Sequence, residues 1–427
     1  MLPRQSIPHV DRGLHGPVQL VLALLLVGCG DDPPSTVEPA DASALSDALD
    51  ALDGRLDGEP SCTTEAACSV PASVAHDDSP AVTIHEGPLH PNGFLGDPTV
   101  LFEEGKYRMW FTSSRQDLTC TGAWYECLVQ GFAYAESVDG QTWDDAWLTP
   151  DTPEARTKLV FEPSPGAWDR VGLETASVLR DHEGRLRMYY TGHMGAPQPG
   201  YPFWDAIGMA VSDDGITWER YGDGPVFAAE SAWERVCCDA TCSCVWGGVL
   251  EPSVLYDASA STYHLWYAAF GEVGSVATFR IGHAISSDGV AWQREDHPVV
   301  DIGPAGAWDA YWVSHVDVVK DPCMGYHLFY HGSGAWSDAA CASDPAGCVG
   351  YSPGSIGYAW SADGATWLRY PAPVLEPTAG AWDGFFVGGP DALFRDGSLE
   401  LFYFGNRDLA NANAFNSEIG HIKAVCR

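Results

Sequence analysis

The chain has 427 residues, of which 58 are acidic and 22 basic, for a net charge of −36. A surface this negative repels nucleic acid and anionic membranes, and it disfavours polyanionic substrates such as uronate-rich glycans. Hydrophobic content of 45% suits a globular protein, and 17 tryptophans suit β structure and sugar-facing surfaces as well as ordinary cores.

Residues 1–28 read as a signal peptide. Arg4 and Arg12 precede "VQLVLALLLVGCG", an apolar run too short to span a bilayer comfortably. Leu26-Val27-Gly28-Cys29 resembles the lipobox of bacterial lipoproteins. That resemblance implies a lipidated Cys29 and a protein anchored to the bacterial cell envelope, in the periplasm or at the cell surface. An ordinary secretory signal with a chance cysteine is the alternative, and either one exports the protein. Setting Cys29 aside from the 13 cysteines leaves 12, an even number that fits a disulfide protein in an oxidising compartment. Cys62/Cys68, Cys120/Cys127 and Cys341/Cys348 suggest small local loops. Cys237, Cys238, Cys242 and Cys244 suggest two more bridges rather than a zinc site, because two clean CxxC pairs are missing. Cys323 and Cys426 then remain as a sixth pair. Residues 29–78 are rich in Asp, Ala, Pro and Ser without apolar periodicity, and read as an acidic disordered tether.

From residue 79 the pattern becomes short strands and turns, and it repeats. "SVDGQTW", "SDDGITW", "SSDGVAW" and "SADGATW" place Asp139, Asp214, Asp288 and Asp363 at intervals of 75, 74 and 75 residues. "GAWD", "SAWE", "GAWD" and "GAWD" place Trp168, Trp233, Trp308 and Trp382 a short way downstream of each. "FAYAES", "IGMAVS", "IGHAIS" and "IGYAWS" precede the turns, and "IGHIKA" follows near the end. The unit is 70–75 residues long and occurs five times. Each unit reads as four strands: a "PTVLF" type, a "YRMWF" type, an "IGMAVS" type, and a fourth after the turn, as in "GPVFA" or "APVLE". Repeated four-stranded antiparallel units predict an all-β, five-bladed β-propeller over residues 79–427. The fifth unit lacks its fourth strand, and "PAVTIHEG" over residues 80–87 is predicted to supply it, closing the ring.

The Asp-Gly pairs supply turn geometry, and the repeated tryptophans are predicted to pack between blades. Alternation of direction puts the short loops on one face. The long loops lie on the other, with Trp124, Trp204, Trp246, Trp312 and Trp336, so function is expected there. Aligning the first strands puts Asp97, Thr175, Glu251, His315 and Gly389 in one column. Glu174 lies one place earlier than that column, while Asp317 and Asp391 lie two places later. Carboxylates that converge near one axis push their pKa values apart, which makes an acid and a base.

The five-fold pattern with acids at the heads of the first strands resembles the five-bladed β-propeller glycosidases of families 43, 62, 32, 68 and 130, family 43 most of all. The resemblance covers about residues 80–427. It implies that Asp97, in "GDP", is the base or nucleophile and that Glu251, in "LEPS", is the acid. The second unit departs: "GLETAS" has Thr175 where the group has an aspartate, and Glu174 beside it is expected to substitute as the modulating carboxylate. His315 matches a histidine that some of these enzymes place near an axial metal, often calcium. No cofactor is otherwise required.

The expected function is hydrolysis of a neutral oligo- or polysaccharide of arabinan or xylan type by a monomer without nucleic-acid partners. Trp124, Trp204, Trp246 and Trp312 are expected to stack on sugars, with His315, Asp317 and Asp391 as further substrate contacts. A non-catalytic propeller that binds a glycan or a protein is the alternative. A sialidase-like enzyme would need an arginine cluster, and only Arg115, Arg170 and Arg407 fall near the strand heads.

Overall fold

The computed structural model describes residues 80–81, 95–117, 119, 121, 128–144, 159–195, 204–237, 241–242, 245–274, 276–321, 325–334, 354–395, 398–406 and 417–425. They form an all-β fold whose only helical piece, among the described residues, is a 3-10 turn at Ala232–Glu234.

The strands run as consecutive antiparallel meanders. The first is β1 (Leu95–Glu103), β2 (Lys106–Gln116), β3 (Leu128–Ser137) and β4 (Leu159–Phe161). The second is β5 (Gly172–Arg180), β6 (Leu186–His193), β7 (Trp204–Ser212) and β8 (Glu219–Arg220). A short β9 (Arg235–Cys237) then pairs with β10 (Val245–Asp257), which continues into β11 (Thr262–Val273), β12 (Val276–Ser286) and β13 (Gln293–Arg294). The fourth is β14 (Trp312–Asp321), β15 (Gly325–Ser333), β16 (Ser355–Ser361) and β17 (Leu368–Arg369). The last is β18 (Phe386–Arg395), β19 (Ser398–Asn406) and β20 (Ser417–Val425). A short parallel contact of β10 with β7, through Gly247 and Gly248, joins the second and third meanders into one sheet.

The fourth strands differ from expectation. In the second, third and fourth meanders regular pairing begins directly after the tryptophan of the turn, at Glu219–Arg220, Gln293–Arg294 and Leu368–Arg369, rather than in "GPVFA" or "APVLE". Those later segments touch the sheet only at single bridges, Ile207 to Phe227, Ile281 to Val300 and Ile356 to Leu375. Of the predicted N-terminal strand only Pro80 and Ala81 lie within the described residues, and the Ala81 N–H donates to the Ile419 carbonyl at 2.8 Å.

The turns behave as their residues dictate. In the first, Asp139 Oδ1 accepts the N–H groups of Gln141 and Thr142 at 2.8 and 2.7 Å, and Gly140 takes φ 79°. Each turn also ties one meander to another: Trp110 Nε1 donates to the Gly215 carbonyl at 2.7 Å, and Trp266 Nε1 to that of Gly364 at 2.8 Å.

Apolar clusters fill the spaces between meanders. Trp110, Phe132 and Tyr134 of the first meet Leu173, Met188 and Tyr190 of the second, with Trp168 and Trp218 packed alongside. Trp143, Met109 and Phe111 meet Phe402 and Ile419 of the last. The repeated tryptophans therefore sit between meanders, as the repeat predicts. The first strands adjoin in sequence: β1 touches β5, β5 touches β10, β10 touches β14, β14 touches β18, and β18 touches β1. This brings the head of each first strand to one central place.

Candidate active site

All five residues of the aligned column adopt left-handed backbone conformations: Asp97 at φ 47°, Thr175 at 42°, Glu251 at 54°, His315 at 42° and Gly389 at 54°. At each of them the pairing register with the next strand shifts. A bulge of this kind re-aims a side chain out of the strand's alternation. The conformation costs a non-glycine residue of order 1–3 kcal/mol, and such strain gathers at functional sites. Only the fifth position relieves it. An added Cβ at Gly389 would lie 2.6 Å from Phe404 and 3.1 Å from Asp97 Oδ1, so glycine also leaves room for the neighbouring acid.

Hydroxyl groups on the second strands hold the bulges. Thr112 Oγ1 accepts the Thr175 N–H at 2.9 Å, and Thr191 Oγ1 accepts the Glu251 N–H at 2.7 Å. The residue at the corresponding place in β11 is Ala268, opposite Leu250, which has no hydroxyl. There the Glu251 carboxylate takes over, its Oε2 accepting the His315 N–H at 2.6 Å.

His315 stands between the two acids that the sequence singles out. Its Nε2 lies 3.2 Å from Asp97 Oδ1 and its Nδ1 lies 3.1 Å from Glu251 Oε1. Burial opposes charge on this ring, but Glu251 and Asp97 outweigh burial and lift its pKa to about 9. Burial raises Glu251 to about 7 against the lowering effect of His315, with Glu174 and Asp97 adding to the rise. Glu251 is thus poised to give up a proton near neutrality.

Glu174 is brought near this pair but is not part of the column. Its Oε2 accepts from Gln130 Nε2 at 3.2 Å and lies 3.3 Å from His193 Nε2, and His193 Nδ1 lies 2.8 Å from Asp205 Oδ1. All four residues are buried. Burial works against the charge of Glu174, yet His193 holds its carboxyl below the usual carboxylate range. The same ring is raised well above an ordinary histidine by Asp205 and Glu174, which overcome its own burial. Sequence comparison of the repeats does not single out His193 or Asp205. They face each other at the ends of β6 and β7, and the repeat carries no signal there.

Asp317 and Asp391, expected as substrate contacts, line the axial cavity and also bond to the backbone. Val178 N–H donates to Thr99 Oγ1 at 3.1 Å, Val254 N–H to Ser177 Oγ at 2.9 Å, and Val318 N–H to Ser253 Oγ at 3.0 Å. Ala392 N–H donates to Asp317 Oδ2 at 2.8 Å and Val100 N–H to Asp391 Oδ2 at 3.0 Å. One side chain on each first strand thus accepts from the backbone of the next, and the circuit returns to β1. Burial raises Asp317 to about 6 and Asp391 well above the carboxylate range.

The expected tryptophan platforms also change. Trp246 and Trp312 are each only 6% exposed. Trp246 packs on Phe270 with ring centres 5.0 Å apart, and Trp312 on Tyr311 at 4.9 Å. Trp246 belongs to a small apolar cluster with Phe270, Val236 and Phe279, and Trp312 also meets the His331 ring at 5.9 Å. Trp204 is half-buried against the core of the second and third meanders. Trp124 lies outside the described residues, as do Cys29, Cys62, Cys68, Cys120, Cys127, Cys238, Cys244, Cys323, Cys341, Cys348 and Cys426. Cys237 and Cys242 form a disulfide with Cα atoms 4.8 Å apart.

The donor set does not fit an axial calcium at His315. Both ring nitrogens face carboxylates, whereas calcium takes six to eight oxygens. Among the described residues no group of three or more His, Cys, Asp or Glu side chains is arranged to hold a metal ion.

No protein-family profile matches the sequence. Two proteins of Mycobacterium tuberculosis described as uncharacterized are 30% identical over 185 residues, covering 43% of this chain and 55% of theirs. The chain thus spans about half the length of the curated relatives it matches. Among solved structures, one described as a glycoside hydrolase is 18% identical with a TM-score of 0.59, covering 82% of this protein and 92% of that one. A thermostable family-43 glycoside hydrolase is 16% identical with a TM-score of 0.53, over 80% and 92%. The beta-1,2-mannobiose phosphorylase from Listeria innocua is 15% identical with a TM-score of 0.55, over 83% and 96%. At these identities the likeness is one of fold, a propeller-like all-β architecture shared with glycoside hydrolases and phosphorylases.

Proposed function

We propose that the protein is an exported glycoside hydrolase built as a five-bladed propeller, with Asp97 as base and Glu251 as acid. The observation that carries this reading is the placement of both carboxylates against one buried imidazole, Asp97 at Nε2 and Glu251 at Nδ1 of His315. Contact on opposite nitrogens of a ring sets the acids apart. That gap suits the roughly 6.5–9.5 Å spacing of an inverting pair better than the about 5–5.5 Å of a retaining one. In the reaction a water oxygen bonds to the anomeric carbon and passes a proton to Asp97. The glycosidic bond breaks with its electrons on the leaving oxygen, which takes the Glu251 proton. Glu174 acts through its charge, which favours the protonated acid.

The cyclic adjacency of the first strands supports the five-blade reading, and the bond from Ala81 to Ile419 supports closure by residues 80–87. The lipobox-like residues before Cys29 support a lipid-anchored protein of the bacterial cell envelope, with residues 29–78 as its tether. The acidic composition favours a neutral glycan of arabinan or xylan type. Thr175 at the place of the group's aspartate favours a second reading, a propeller that binds a glycan or a protein without turning it over.

The deciding experiment is a turnover screen of the whole protein, with disulfides intact, on nitrophenyl glycosides and neutral polysaccharides beside the Glu251→Gln variant. Activity that the variant abolishes supports the assignment. No turnover on any substrate, with glycan binding unchanged by the substitution, supports the binding reading instead.

A further inference from the structure

We propose that Thr175 is a catalytic residue that holds the attacking water, its Oγ1 and Asp97 Oδ1 each accepting one hydrogen of that water. The inference rests on the glycosidase reading above. Three observations carry it. Thr175 Oγ1 and Asp97 Oδ1 are both buried, and Thr175 Oγ1 has no hydrogen-bond partner among the described residues. His315 Nε2 lies 3.2 Å from Asp97 Oδ1 as its ion-pair partner, which leaves the oxygen's second lone pair for a water. Buried polar oxygens are rarely left so, and an ordered water is the usual partner. Both residues also line one small axial cavity, together with His315 and Gly389.

The third observation is the backbone. Thr175 is β-branched and sits at φ 42°, a region that disfavours such residues more than most. Gly389 occupies the same place in the last meander at φ 54°, so the fold accepts glycine in this column. The hydrogen bond from the Thr175 N–H to Thr112 needs no threonine side chain. Nothing in the fold therefore requires threonine, and the hydroxyl is the part with a use.

A water that donates one hydrogen to Asp97 and one to Thr175 turns its lone pair toward the remaining open direction. Asp97 takes the first hydrogen as the oxygen attacks, and Thr175 keeps the second one oriented until the bond has formed. Thr175 itself gains and loses no atoms. Glu174, turned toward Gln130 and His193, leaves this position to the threonine.

The test compares Thr175→Val, Thr175→Ser and Thr175→Gly with the unsubstituted protein on whichever substrate the screen finds. Removal of one water-orienting group is expected to lower kcat about 100-fold with KM changed less than about threefold in Thr175→Val. Thr175→Ser is expected to recover at least a tenth of the original kcat. Thr175→Gly is expected to lose activity equally while its melting temperature stays level or rises, since the strain is relieved. Unchanged kcat in Thr175→Val and Thr175→Gly overturns the inference and leaves the glycosidase reading standing. So does a Thr175→Ser variant as poor as Thr175→Val. An unsubstituted protein that turns over no substrate overturns both.

Discussion

The Glu251 carboxylate grips His315 twice: Oε2 accepts the backbone N–H at 2.6 Å and Oε1 lies 3.1 Å from the ring Nδ1. The acid of one meander is thereby locked to the histidine of the next, and its proton affinity depends on that ring. His315 draws the pKa of Glu251 down, while burial draws it up to about 7.

His315→Gln removes the cation, so the pKa of Glu251 should rise above about 7. The alkaline limb of kcat/KM should move to higher pH, and kcat should fall on the order of 10-fold or more. Carboxyl carbon NMR of labelled Glu251 checks the titration directly. A Glu251 titration that stays in place would show that the ring does not control the acid.

His193→Gln acts one step further away. Without its cationic partner Glu174 should protonate more readily, since burial alone raises a carboxyl. A neutral Glu174 no longer raises Glu251, so the alkaline limb of the rate profile should move to lower pH, opposite to the His315 variant. Movement in the same direction would place Glu174 outside the acid's control.

Asp391→Ala deletes the acceptor that joins β18 to β1 and leaves the Val100 N–H buried without a partner. The expected loss is about 1–3 kcal/mol in urea unfolding. Asp391→Asn keeps an oxygen at the same place and removes the cost of a buried charge, so it should match or exceed the original stability above about pH 5. Because burial raises the folded pKa of Asp391, its ionisation works against stability as pH rises.

His327 is buried and shares a hydrogen bond with the Tyr358 hydroxyl at 2.9 Å through Nδ1, and burial lowers its pKa to about 4. A folded pKa below the unfolded value of about 6.5 means stability that is complete above pH 6.5. It is lost as pH falls toward about 4. The stability advantage over His327→Asn should therefore shrink across that window in urea titrations. An advantage that is constant from pH 7 to 4 would contradict the assignment of a neutral buried ring.

The fold and the alignment of the site were legible in the sequence because both are written locally and repeatedly. The Asp-Gly turns recur at 75, 74 and 75 residues, and each carries its own geometry in a few adjacent residues. The tryptophans recur with them and pack between meanders. The same period put Asp97, Thr175, Glu251, His315 and Gly389 into one column, and all five share one backbone conformation. Alternation along a strand does not reveal a bulge, so the left-handed φ of the column was not readable from the residues themselves.

What the tertiary structure alone decided depends on which strand lies beside which. Asp391 and Val100 are 291 residues apart in sequence, and only their adjacency makes the tie between them. Glu174 reads in sequence as the modulating carboxylate, and only the fold shows that Gln130 and His193 hold it in place. Trp246 and Trp312 read from the sequence as sugar platforms, and the packing of Phe270 and Tyr311 against them made them core. The sequence determined the repeat, the turns and the column, because short-range sterics and periodicity act within one unit. The partners of each buried polar group were set between units, where register and burial choose among contacts that no single segment contains.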